Sequence, residues 1–247
     1  MVTAGVSDAE IDMPWLETHH PDLDAMYKTL SAELVLIIND AIAKRGHAWL
    51  ALAGGRTPLP LYRALAEHAL NWSAVTLVPT DERWVDFADS ARNGRDLEQA
   101  FAAAHGVRVL KLAPDVLTGA PDAAFACAEL AKYPQPFDLV LLGMGLDGHF
   151  ASLFPGAREL VRGLDLRSAD DALVVEPNPR PADAPFARIS LTLKRLLHAH
   201  IRWLLISGTP KLAVLARAKG QVSNDVLPIS ATLKDPNRKL EIHWSAH

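Results

Sequence analysis

The sequence predicts an α/β protein, a doubly wound and mainly parallel sheet flanked by helices. Three observations predict it. Short apolar runs without polar alternation occur at 47–53, 75–78, 137–142 and 201–206, the length and composition of strands buried on both faces. Helical patterns lie between them, with connections long enough for crossovers between parallel strands. Most of these runs end in glycine or proline turns carrying polar residues. In an open α/β sheet such turns line the ligand crevice at the carboxyl edge.

Composition sets the outer bounds. A chain of 247 residues is read as one α/β domain over 1–247, with 1–15 as a loose N-terminal arm because it shows no period. Apolar residues make up 49% and charged residues 22%, as in ordinary globular proteins. No apolar run reaches membrane-spanning length, and no basic segment leads an apolar core at the N-terminus, so neither a membrane nor a secretory route is expected. The formal net charge of −4 gives no electrostatic reason to expect nucleic acid, yet leaves room for a local basic pocket. Cys127 is the only cysteine, within a helical pattern, and is read as a small buried hydrophobe. No Cys/His spacing suggests zinc. A cytoplasmic location is the matching expectation. Oligomeric state has no signature in the sequence.

Taken in order, 21–45 carries Leu23, Met26, Tyr27, Leu30, Leu34, Ile37, Ile38 and Ala41 at helical spacing, with Gly46 as the stop. The strand 47–53 runs into Gly54-Gly55-Arg56-Thr57-Pro58. There Thr57 reads as an N-cap and Pro58 as the first helical residue, which would leave N–H groups and the positive helix end facing the loop. The glycine spacing fits neither a Walker loop nor a dinucleotide fingerprint. Strand 75–78 ends in Pro79-Thr80-Asp81-Glu82-Arg83, again on the crevice side. Loop 89–93, helix 96–105, strand 107–112 and helix 121–131 follow. Beyond the strand 137–142 the pattern loosens, with a strand at 173–175 and a proline-rich loop at 176–185. The segment from Arg188 turns helical by Leu196 and Leu197. Strand 201–206 ends in Ser207-Gly208-Thr209-Pro210-Lys211, a second Thr-Pro helix start, closed by Gly220. A lysine in the first helical turn opposes the helix dipole, and makes sense when an anion shares that helix end. A short strand at 240–244 closes the chain.

The stretch 137–156 organises the rest. Its strand is followed by Gly143, Gly145, Asp147, Gly148 and His149, which places an acid and a histidine at the mouth of the crevice. A histidine beside an acid in a glycine turn at a strand end is a candidate proton-transfer group.

Five motifs occur together, in order: Gly54-Gly55-Arg56-Thr57-Pro58, then Asp81-Glu82-Arg83-Trp84-Val85, the run from Gly143 to Gly156, Arg188-Ile189-Ser190-Leu191-Thr192, and Gly208-Thr209-Pro210-Lys211. As a set they resemble the 6-phosphogluconolactonase family, and Leu227-Pro228 is similar to its C-terminal Leu-Pro element. The resemblance implies a Rossmann-like fold shared with glucosamine-6-phosphate deaminase. It also implies hydrolysis of 6-phosphoglucono-1,5-lactone to 6-phosphogluconate in the oxidative pentose phosphate pathway. Leu146 and Phe150 depart from the residues the family often has there, Glu and Thr, and 89–93 looks like a stretched form of its Asp-Ser-Asn segment.

On that resemblance the partner is a small sugar-phosphate lactone, and no metal or organic cofactor is called for. His149 is the expected general base, with either Asp147 or Asp81 orienting it or binding hydroxyls. Gly54 and Gly55, with Arg83, are candidates for oxyanion or hydroxyl contacts, and Thr57, Arg188 and Lys211 for the phosphate. Two other readings are open. A deaminase or isomerase on the same fold would carry a glutamate five residues after the histidine, where this chain has Phe154. A non-catalytic sugar-phosphate sensor would usually carry a helix-turn-helix beside this domain, and only a short arm precedes it here.

Overall fold

The computed structural model describes residues 14–181, 185–220, 223–235 and 238–246. The arm expected at 1–15 lies outside the described residues as far as residue 13. Its end is corrected, because Trp15 already opens strand β1 (Trp15–His20). That strand pairs in parallel with β10 (Leu240–Ser245), a partner more than two hundred residues away that local periodicity cannot reveal.

Helix α1 (Leu23–Arg45) follows, held at its start by the Asp22 carboxylate, which accepts the Ala25 N–H at 2.7 Å, and at its end by Gly46 at φ 75°. The strands β2 (Ala48–Leu52), β3 (Val75–Pro79), β6 (Phe137–Leu142) and β9 (Ala199–Ser207) stand where the apolar runs predict them. β5 contracts to Arg108–Val109 at the sheet edge. The order is β1-β10-β9-β6-β2-β3-β5, and every pairing is parallel. The chain builds outward from β2 to β3 and β5, then returns to place β6 on the other side of β2. This reversal opens a crevice at the carboxyl ends of β2 and β6.

Alternation along the central strands feeds two cores. Leu50, Leu52, Leu139 and Leu141 join α1, α2 (Leu59–Ala66) and α3 (Asn93–Ala100) on one face. Trp49, Ala51, Val140 and Leu142 face the other, with Phe150, Ile189 and Leu215. Strands buried on both sides read as unbroken apolar runs for this reason. Phe150 is wholly buried in the second core, whereas Leu146 is exposed. Cys127, in α4 (Ala124–Leu130), is half-buried and packs against the same core.

A second, antiparallel sheet lies beyond β3 in the chain path; of its three strands the sequence pattern predicted the one at 173–175 and not the other two. It is made of β4 (Asp81–Arg83), β7 (Ala172–Val175) and β8 (Arg188–Leu191). β4 turns the polar segment after β3 into buried structure, with Asp81 and Glu82 both inside. The short helices α5 (Leu160–Leu164) and α6 (Leu193–Leu197) complete this layer, α5 being too brief to show a period.

Two helix starts differ from expectation. α2 begins at Leu59 with Pro58 as its N-cap residue, so Thr57 is not the cap. Its hydroxyl meets Ser207 Oγ at 3.3 Å instead, and its carbonyl accepts the Tyr27 hydroxyl at 2.7 Å. α3 begins at Asn93, inside the expected loop, because the distant Glu82 carboxylate accepts the N–H groups of Asn93 and Gly94. α7 (Thr209–Lys219) starts at the second Thr-Pro as predicted. Among the described residues no helix is long and apolar enough to cross a membrane.

Candidate active site

A cavity of about 380 Å³ sits over the carboxyl ends of β2, β3, β6 and β9. It gathers nearly all the residues singled out by sequence. Gly54, Gly55 and Thr57 come from the turn after β2, and Asp81 and Arg83 from β4. His149 follows β6, Arg188 opens β8, and Lys211 lies in the first turn of α7. Pro181, from the proline-rich loop, also reaches the wall, while 182–184 of that loop lie outside the described residues. Asp147 is the one candidate not on the wall; it stands behind His149.

The histidine is held from several sides. Its Nδ1 lies 2.6 Å from Asp147 Oδ1, which also accepts the His149 backbone N–H at 3.2 Å. Burial pushes the Asp147 carboxyl up, but the hydrogen bonds and charge of His149 outweigh it, and its pKa ends below the usual value. An ionised carboxylate only accepts, so Nδ1 carries the hydrogen of that bond and Nε2 of a neutral ring keeps its lone pair.

The turn carrying the pair is closed by the Gly145 N–H donating to the His149 carbonyl at 2.9 Å and the Gly148 N–H donating to the Gly145 carbonyl at 3.0 Å. Gly148 adopts φ 79° and packs under Leu227, which gives the Leu-Pro element a place in the site's support. A β-carbon on Gly145 would overlap both the His149 ring and the Asp147 carboxylate. Phe154 packs on the imidazole with ring centroids 4.2 Å apart, and the Arg188 guanidinium lies 5.8 Å from the same phenyl centroid.

Asp81 has different company. Its Oδ2 accepts the Ser152 hydroxyl at 2.5 Å, and Asn93 Nδ2 donates to its backbone carbonyl at 2.8 Å. Of the two acids left open by sequence, Asp147 is therefore the one in contact with the imidazole. Arg83 donates from Nη1 to Asn93 Oδ1 at 2.6 Å and to the Ala91 carbonyl at 2.8 Å. Asn93 and Ser152 were missed as site residues. Both lie in motif segments, but their partners are remote in sequence.

The pocket also has basic lining residues, among them Arg188 and Lys211. Burial lowers the Lys211 pKa, and among the described residues its ammonium has neither an ion-pair nor a hydrogen-bond partner. The Thr57–Ser207 contact draws the loop after β2 to the end of β9, directly before α7, so Thr57 and the α7 N-terminus share one corner.

Comparison with known proteins gives the family of the chain. Residues 21–244 match the sequence profile described as glucosamine-6-phosphate isomerases/6-phosphogluconolactonase. A 6-phosphogluconolactonase of Caulobacter vibrioides is 36% identical over 89% of this chain and 93% of its own. One from Pseudomonas putida is 36% identical over 97% of this chain and 98% of its own. The crystal structure of a 6-phosphogluconolactonase from Shewanella baltica superposes with a TM-score of 0.86 at 29% identity, covering 94% of this chain and 98% of that one. With the profile spanning nearly the whole chain and full-length relatives above 30% identity, the chain belongs to the glucosamine-6-phosphate isomerase/6-phosphogluconolactonase family.

Proposed function

We propose that the protein hydrolyses 6-phospho-D-glucono-1,5-lactone to 6-phospho-D-gluconate, the lactone step of the oxidative pentose phosphate pathway. The observation that carries the reading is the imidazole of His149, bound through Nδ1 to Asp147 at the wall of a pocket that Lys211 also lines, without an ion-pair partner among the described residues. The reading takes the whole chain as one sugar-phosphate hydrolase domain working in the cytoplasm, and it needs neither nucleic acid nor a cofactor.

A lactone is an activated ester, so the site has three tasks: activate water, stabilise an oxyanion and hold the sugar. In this mechanism Nε2 of His149 takes a proton from water as the oxygen attacks C1. Asp147 fixes the tautomer and stabilises the imidazolium that forms. The tetrahedral oxyanion faces the backbone of Gly54 and Gly55, with Arg83 beside them. As the bond from C1 to the ring oxygen breaks, the imidazolium returns its proton to that oxygen, and the carboxylic acid product ionises. Asp81 binds sugar hydroxyls.

The phosphate is assigned to the corner of Lys211, Arg188 and Thr57. There it meets the positive end of an eleven-residue helix and a cation desolvated in advance. Lys211→Ala is expected to raise KM for the phosphorylated lactone by about tenfold or more, on the scale of a lost charge-assisted hydrogen bond of about 1.5–3 kcal/mol. Unphosphorylated gluconolactone should be turned over no worse than by the wild type. Equal damage to both substrates would return Lys211 to a structural role.

The deaminase reading is disfavoured by Phe154, whose ring packs on the imidazole and has no proton to transfer where the deaminases carry an acid. One experiment separates the two. Freshly made lactone is followed against its spontaneous hydrolysis, and ammonia release from glucosamine 6-phosphate is followed in parallel. Accelerated lactone opening without ammonia is expected. Ammonia release at a comparable rate would overturn the choice.

A further inference from the structure

We propose that Glu82 is a positioning residue of the pocket, holding Asn93 and Arg83 in the geometry that receives the sugar. The proposal rests on the reading of this pocket as a lactone site and adds to it a buried residue that does not line the pocket.

Strand alternation sends Asp81 and Arg83 to the wall and Glu82 away from it, where it is 1% exposed. One carboxylate oxygen accepts the N–H groups of Arg83 at 2.8 Å and Asn93 at 2.7 Å. The other accepts the Gly94 N–H at 2.8 Å and faces Arg92 Nε at 3.2 Å. Arg92 is fully buried and tied in turn to the carbonyls of Val85, Ala113 and Pro114. The carboxylate therefore bonds β4 to the first turn of α3. The N-cap residue of α3 is Arg92, which makes no side-chain cap, so the helix start depends on this remote acid.

Asn93 transmits the arrangement to the pocket. Its amide oxygen accepts from Arg83 and its amide nitrogen donates to the Asp81 carbonyl. It also lies against Gly54 so closely that a β-carbon there would overlap it. One side chain thus sets the spacing of three groups on the wall, and its backbone hangs from Glu82. Burial pushes the Glu82 carboxyl up to about 7, with Arg92 and the three N–H groups acting in the opposite direction. A surface residue at the N-cap position would satisfy the helix end without that desolvation. What the buried acid adds is a second attachment, to the strand that carries Asp81 and Arg83.

The test measures kcat and KM for fresh lactone in Glu82→Asp, Glu82→Gln, Asn93→Ala and the double variant Glu82→Asp/Asn93→Ala, with thermal melting of each. Glu82→Asp keeps the charge opposite Arg92 but withdraws the acceptor from α3. Because Asn93 spaces Gly54 and Arg83, assigned to the oxyanion, as well as Asp81, assigned to the sugar, this variant is expected to lower kcat/KM by about tenfold or more, with KM raised and kcat reduced together. The double variant should have a kcat/KM no lower than Asn93→Ala alone, because the two act in one chain of contacts. Unchanged kcat/KM in both Glu82 variants, or effects on kcat/KM that multiply in the double variant, would overturn the proposal. So would loss of the fold in Glu82→Asp, which would assign Glu82 to the stability of the core. A wild type that does not accelerate lactone opening would instead sink the functional reading, and that arm is measured first.

Discussion

Replacing His149 by alanine is expected to lower kcat by about a hundredfold or more, the usual contribution of a positioned general base. The loss should fall on kcat rather than KM, because the pocket walls that hold the sugar are built by β4, β8 and α7 and not by the imidazole. The fold should survive. The His149 side chain is partly exposed, and the turn around it is closed by backbone hydrogen bonds from Gly145 and Gly148 that alanine keeps. The measurement is steady-state hydrolysis of fresh lactone, corrected for its spontaneous opening, with a melting curve beside it. A variant with near wild-type kcat would remove His149 from the chemistry.

The second large effect is expected from a residue with no chemistry of its own. Gly145→Ala places a β-carbon where the His149 ring and the Asp147 carboxylate now sit. Neither can yield without separating the 2.6 Å pair or turning the imidazole from the pocket. Misplacing a catalytic group by about 1 Å costs on the order of a hundredfold, so kcat should fall by about that much with KM little changed. Gly145 has no positive φ, so its backbone accepts alanine and folding should be retained. Wild-type kcat in Gly145→Ala would show that the turn relaxes freely, and the His149–Asp147 contact would lose its assigned importance.

Much of the site was legible because its parts are local. Asp147 and His149 share one turn, and the turn follows a strand that is apolar on both faces. The reach of Lys211 into the pocket was legible too, since a lysine in a first helical turn is out of place unless an anion is near. Thr57 was singled out as a helix cap, yet it sits in the pocket by another route, through Ser207, which is 150 residues away.

By itself the sequence determined the alternation of strands and helices, the parallel central sheet, the edge at which the candidate pocket lies and most of the residue types that line it. Each follows from periodicity and turn chemistry within a few residues. The tertiary structure decided what depends on distant partners. It paired β1 with β10, made β4 a strand through β8, and began α3 at Asn93 through Glu82. It also placed Asp147 rather than Asp81 on the imidazole, and Ser152 and Asn93 on Asp81. A hydrogen bond has a reach of about 3 Å and no memory of sequence separation. Contacts of that kind become visible only when the chain has closed on itself.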